Sequence, residues 1–357
     1  MNSKPLLILF ALLIIILFAV VILYGKQLLS QKQTPSEPPT AALLNVPLPP
    51  AEPVKLIFLH HSTGGNWLAD VGEHQSAGGL GQELMANNYF VSGTNYSWSV
   101  NDDDIGNRTD IGQWWEWFNG EKRDEYMEAV YNEFGQNLKG NADWTFFGSY
   151  SRMDDPDPSQ ENEIILFKSC YPNSHLAGSP NDPPTVGDNP LRGKDAWAGD
   201  ELMTVGNVKG IYVDLLDYFA AHPDKLFIVI TAPPLVRYEK WQKTDAEHAA
   251  NARAFNNWLL NEWLTDYPQQ NVAVFDFYNV LTSNGGSSTH NDQWLEEGNH
   301  HRWWNGAVQH IQTENTNFSA YGSLRDSHPS AAGGQKATAE FVPLLNYYYH
   351  RWQADLN

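Results

Sequence analysis

Residues Lys55 to Leu68 read KLIFLHHSTGGNWL. The first five, Lys55-Leu56-Ile57-Phe58-Leu59, form a short apolar run of strand formers, the pattern of a strand buried on both faces. The run breaks into His60-His61-Ser62-Thr63-Gly64-Gly65, small and polar residues ending in two glycines. A strand that stops in a Ser-Gly turn places the serine hydroxyl at the carboxyl end of a sheet, where open α/β folds bind ligands. Ser62 is then either a nucleophile, if a base reaches it, or only the cap of the next helix.

Outward from this stretch, four more apolar runs read as strands: Tyr89-Phe90-Val91 (ending in Ser92-Gly93-Thr94), Glu163 to Lys168, Leu226 to Ile230 and Val272 to Asp276. Between them fall helical patterns at Leu80–Asn87, Val208–Ala221 and Ala246–Leu264, with Ala331–Tyr348 closing the chain. Strands alternating with helices predict one α/β domain over residues 54–357 with a five-stranded parallel sheet. Two irregular insertions are expected, near 101–160 and 283–323. The first contains Ile111 to Asn137, with helical spacing and many aromatics. Its run Asn101-Asp102-Asp103-Asp104 lacks the glycine and distal glutamate of a calcium loop and is read as a solvated face.

The chain has 357 residues, 42% of them hydrophobic, ample for a large core. The single Cys170 excludes an internal disulfide, so packing must supply the stability. Leu6 to Tyr24 is an unbroken apolar run without charge, long enough for one transmembrane helix. No A-x-A cleavage signal follows, so residues 1–30 are expected to be an uncleaved anchor; a cleaved signal would make the protein secreted. Lys4 on one side and Lys26 and Lys32 on the other nearly balance the positive-inside count, and a body outside the cytoplasm is expected. Residues 31–53 are Pro-rich and read as a semi-rigid linker. The formal net charge of -20 argues against nucleic acid as a partner.

Near the far end stands Leu324-Arg325-Asp326-Ser327-His328-Pro329. A histidine fixed by a following proline is well placed as a general base, and a carboxylate two residues earlier can orient its other ring nitrogen. With the Ser62 turn, this chain resembles the SGNH (GDSL-like) hydrolases, esterases and lipases that include carbohydrate deacetylases. The resemblance spans roughly Lys55 to Tyr348. It implies a flavodoxin-like three-layer sandwich, with Ser62 as nucleophile, His328 as base and Asp326 or a backbone carbonyl orienting it. It also implies an oxyanion hole from the amides of Ser62 and Gly93 and the side chain of Asn173. The sequence departs from the family pattern: His61 stands where that family has aspartate, Asp326 is two rather than three residues before His328, and Ser169-Cys170-Tyr171-Pro172-Asn173 replaces Gly-x-Asn-Asp.

The implied chemistry is acyl transfer to water through an acyl-enzyme, with no cofactor and no metal. A sugar hydroxyl in place of water would make the site an acyltransferase. The expected substrate is a small-molecule or polysaccharide acyl ester, with an O-acetylated carbohydrate favoured. His61, Trp114, Trp115 and Trp303 are the candidate substrate contacts, weighed against plain packing of these aromatics. A carbohydrate-binding protein on a hydrolase fold is the competing class. His60, His61, His290, His300 and His301 raise the question of a metal, but no recognised ligand spacing appears among them. Cys170 reads as a buried structural thiol.

Overall fold

The apolar runs pair as parallel strands: β1 (Val54–Leu59), β2 (Tyr89–Thr94), β3 (Ile164–Lys168), β4 (Leu226–Ile230) and β5 (Val272–Phe275). They form one five-stranded sheet in the order β2-β1-β3-β4-β5. That order is consistent with the flavodoxin-like class of doubly wound sheets. This computed structural model describes residues 47–135, 150–239, 245–282, 300–304, 307–310, 317–323 and 325–356.

Side-chain alternation divides the sheet into two apolar faces. Ile57, Leu59, Ile165, Phe167, Phe227, Val229 and Val274 pack on one side. Leu56, Phe58, Leu166, Ile228, Ile230 and Phe275 pack on the other. Each such side chain, taken wholly out of water, contributes roughly 1.5–3 kcal/mol. The second face is covered by α1 (Thr63–Leu68), α2 (Leu80–Ala86), a short α7 (Phe277–Leu281) and the closing α8 (Ala331–Leu356). The first is covered by α3 (Trp114–Asn119), α4 (Arg123–Asn132), α5 (Val205–Ala221) and α6 (Ala246–Asn261). The chain therefore leaves β1 toward one face and β2 toward the other, which makes the β1/β3 boundary the topological switch point.

Several expectations need correction. β2 runs on through Ser92-Gly93-Thr94, which pair with Ile57, Phe58 and Leu59 instead of turning. The described part of the region 101–160 is helical in two stretches. Its helices α3 and α4 form part of the β2–β3 crossover, and Trp114, Trp117 and Phe118 are each fully buried against the sheet. The continuous helical pattern expected at Ile111–Asn137 is broken at Gly120, whose extended backbone ends α3. The tail of the Pro-rich linker is tied to the domain: Pro47 and Pro50 accept from the side chains of Asn346 and Asn88. The 283–323 region contains an antiparallel hairpin, β6 (His301–Trp304) with β7 (Ala307–His310), packed on α8. No helix among the described residues is long and apolar enough to cross a membrane. The apolar run Leu6–Tyr24 and His290 both lie outside those residues.

Candidate active site

The strand register sets the site. Leu59, which ends β1, lies beside Phe167 of β3, and Lys168 lies beside Ile230 of β4. The turns that leave these strands are thereby brought together at the switch point.

Ser62 leaves β1 in a sharp turn, with φ 47° and ψ -103°. An L-residue at this conformation is held against its preference, at a cost of about 1–3 kcal/mol. The surroundings hold it there. The Ser62 carbonyl accepts from the Asn66 amide at 3.1 Å and the His61 carbonyl from the Gly64 amide at 3.1 Å. Gly64 must be glycine, because any Cβ there would overlap the His60 side chain. The Ser62 amide itself has no hydrogen-bond partner among the described residues.

His328 arrives on the loop before α8. Ser62 Oγ lies 2.5 Å from His328 Nε2, and His328 Nδ1 lies 2.6 Å from Asp326 Oδ1. The same carboxylate oxygen accepts the His328 amide at 2.9 Å, so spacing by two residues still lets Asp326 orient the ring. Arg325, at φ 66°, tightens the turn. Ser327 straps it to the loop after β4, donating to Glu239 and accepting from the Val236 amide. Burial alone would lower the His328 pKa, but the hydrogen bond with Asp326 and the negative charge nearby raise it above 6.5. Asp326 is held below the usual carboxylate range, chiefly by that hydrogen bond. An ionised Asp326 accepts from a protonated Nδ1, which leaves the Nε2 lone pair facing Ser62 Oγ.

The expected oxyanion partners fare differently. Gly93 lies within edge strand β2, and its amide donates to the Gly135 carbonyl at 2.9 Å. It has no proton to offer a substrate. Asn173 is buried, and its Nδ2 donates to Asp110 Oδ1 at 2.5 Å and to the Cys170 carbonyl at 3.1 Å. Both amide hydrogens are therefore taken, and its Oδ1 accepts from the Ile111 amide. Asn173 braces two loops.

Tyr96 lies close to the serine turn. Two residues beyond β2, its pKa is raised by burial, with the Ser62 side chain acting the other way, so the phenol stays protonated. Its ring packs on His61, with centroids 4.8 Å apart. His61 Nδ1 is hydrogen-bonded to the Thr109 hydroxyl. Burial, opposed by Asp110, holds the His61 pKa down to about 4, so the ring is neutral. Nothing in the sequence singles out Tyr96, because a tyrosine in a loop carries no spacing signal.

The predicted aromatic contacts divide. Trp114 is fully buried, its indole N–H donating to Ser169 Oγ at 2.8 Å, and is a core residue. Trp115 packs against the core with the Arg192 guanidinium 5.5 Å from its ring centroid. Trp303 stacks on Tyr347 of α8, centroids 4.3 Å apart, in the hairpin. Trp197 is 56% exposed and follows Ala196, whose amide is held by Asp110. Cys170 is buried, as expected, with Thr63 Oγ1 at 3.7 Å from its sulfur.

Among the described residues, one group outside the expected ones has metal-ligand types: His175, Asp200 and His248. Both Nε2 atoms face the Asp200 carboxylate, at 3.2 and 3.6 Å. The two imidazoles are stacked, however, with centroids 3.9 Å apart and planes inclined by 17°. Imidazole lone pairs lie in the ring plane, and planes this nearly parallel do not meet within the roughly 2.1 Å reach of a metal–nitrogen bond.

No protein-family model matches this chain, and no curated protein matches it. A solved structure matches at 13% identity over 83% of this chain and 97% of its own, with a TM-score of 0.33. A likeness that slight carries no argument about fold or function.

Proposed function

We propose that this protein is a serine esterase of the SGNH type that cleaves an acyl ester, with an O-acetyl group on a carbohydrate as the favoured substrate. One observation carries the reading: the unbroken line from Ser62 Oγ through both nitrogens of His328 to Asp326, with steps of 2.5 and 2.6 Å. Supporting it are the strained turn at Ser62 and its place at the carboxyl end of a central strand.

In this reading Ser62 Oγ attacks the ester carbonyl while His328 Nε2 takes the hydroxyl proton. The carbonyl oxygen becomes an oxyanion, held by the Ser62 amide and the Tyr96 hydroxyl in place of Gly93 and Asn173. The intermediate collapses to the acyl-enzyme as the alcohol leaves with the proton from His328. Water, deprotonated by the same nitrogen, releases the acid and restores Ser62. Trp197 offers an exposed ring on which a sugar can stack. The uncharged run Leu6–Tyr24 favours an anchored enzyme working outside the cytoplasm, and the charge of -20 disfavours nucleic acid as a substrate.

The test is hydrolysis of p-nitrophenyl acetate by the full-length protein beside Ser62→Ala and His328→Ala. Loss of turnover in both variants, with unchanged circular dichroism, supports the reading. Equal turnover in all three overturns it.

A further inference from the structure

Lys168, the last residue of β3, is 1% exposed. Its ammonium donates to Thr63 Oγ1 and, at 3.0 Å, to the Ser169 carbonyl. Both acceptors are uncharged, and no carboxylate lies within ion-pair distance of Lys168 among the described residues. A lysine buried without a carboxylate at ion-pair distance is costly. Its location is specific: Thr63 directly follows Ser62, so the ammonium is tied to the residue that carries the strained turn onward.

We infer that Lys168 is the positioning residue of the nucleophile turn, a buried cation that locks Thr63 and lends positive potential to the oxyanion formed at Ser62. This rests on the esterase reading. A charge in a water-poor site acts far more strongly than the same charge in solvent. The titratable groups around the lysine are Cys170 on the strand exit, Asp110 from the loop before α3, His60 and His61 after β1, and His328. Lys168 also acts on His328, lowering its pKa against the Asp326 hydrogen bond. Burial brings the Lys168 pKa down to about 8, with Cys170 and Asp110 opposing the fall. The cation is therefore present at neutral pH and is lost on the alkaline side.

The experiment is the pH profile of kcat/KM for p-nitrophenyl acetate, with full-length wild type, Lys168→Met, Thr63→Val and Ser62→Ala side by side. Methionine keeps the length and burial of the chain and removes the charge. The expected result is a fall of about 100-fold in kcat with little change in KM. The alkaline limb near pH 8 should vanish in Lys168→Met, and the acid limb should move upward as His328 loses a neighbouring cation. Thr63→Val should fall less and keep the alkaline limb. A Lys168→Met protein with wild-type kcat overturns the inference. So does a wild-type profile that stays flat through pH 8–10, a readout that stands even where the variant does not fold. Activity surviving in Ser62→Ala strikes the esterase reading itself, a separate outcome.

Discussion

Two histidine–aspartate constellations stand among the segments that connect the strands, and they are made of the same residue types. In one, His328 lies edge-on between Asp326 and Ser62, each nitrogen directed at one partner. In the other, His175 and His248 lie face to face over Asp200, with Asp245 taking the second nitrogen of His248 at 2.7 Å. The first arrangement aligns a lone pair with a hydroxyl and can move a proton. The second places its lone pairs side by side and ties α6 to the loop after β3. Residue type does not separate them; the direction of the ring edges does.

The variants that would break this comparison are ordered by expected effect. Ser62→Ala and His328→Ala should each lower kcat/KM by on the order of 10⁴-fold, measured as p-nitrophenyl acetate hydrolysis with folding checked by circular dichroism. Asp326→Asn should cost less, about 10²-fold, because the side chain is 55% exposed and water can replace part of its hydrogen bonding. Asp326 raises the His328 pKa, so its removal should move the acid limb of the profile to lower pH. An acid limb that stays in place would show that the orienting group is another one. Tyr96→Phe should reduce kcat about tenfold while leaving the His328 limb where it is, the mark of a lost oxyanion donor. His248→Ala should leave the rate within about twofold of wild type, since the stacked pair serves the docking of α6. A loss as large as that of His328→Ala would erase the distinction between the two constellations.

The fold was largely legible because buried parallel strands are short apolar runs that begin and end at polar turns. Leu226–Ile230 appears with the expected bounds, and the other strands shift by a residue or so, apart from β2. β2 runs longer because Ser92, Gly93 and Thr94 are small polar residues that a sheet edge accommodates as readily as a turn does. Ser62 and His328 were legible because they lie near local breaks, a strand end with two glycines and a proline, and Asp326 because it precedes His328 by two residues. Which donors near Ser62 keep a free proton was not. Which amide is free depends on the approach of Gly135 to Gly93 and of Asp110 to Asn173, contacts that no local spacing records. Trp114 illustrates the same limit. A tryptophan in a stretch of helical spacing can pack or can contact a ligand, and only the laying of its helix on the sheet decides for packing. Lys168 follows a run of apolar residues and looks like an ordinary polar strand end, yet it turns inward beneath the serine.

The most direct test of the central claim is covalent capture. The full-length protein would be incubated with a fluorophosphonate probe, which a nucleophilic serine attacks at phosphorus with loss of fluoride, and the adduct located by peptide mass spectrometry. The account predicts a single phosphonylated site at Ser62, absent from Ser62→Ala and strongly slowed in His328→Ala. An adduct on another residue, or an unlabelled Ser62 in folded protein, would contradict it.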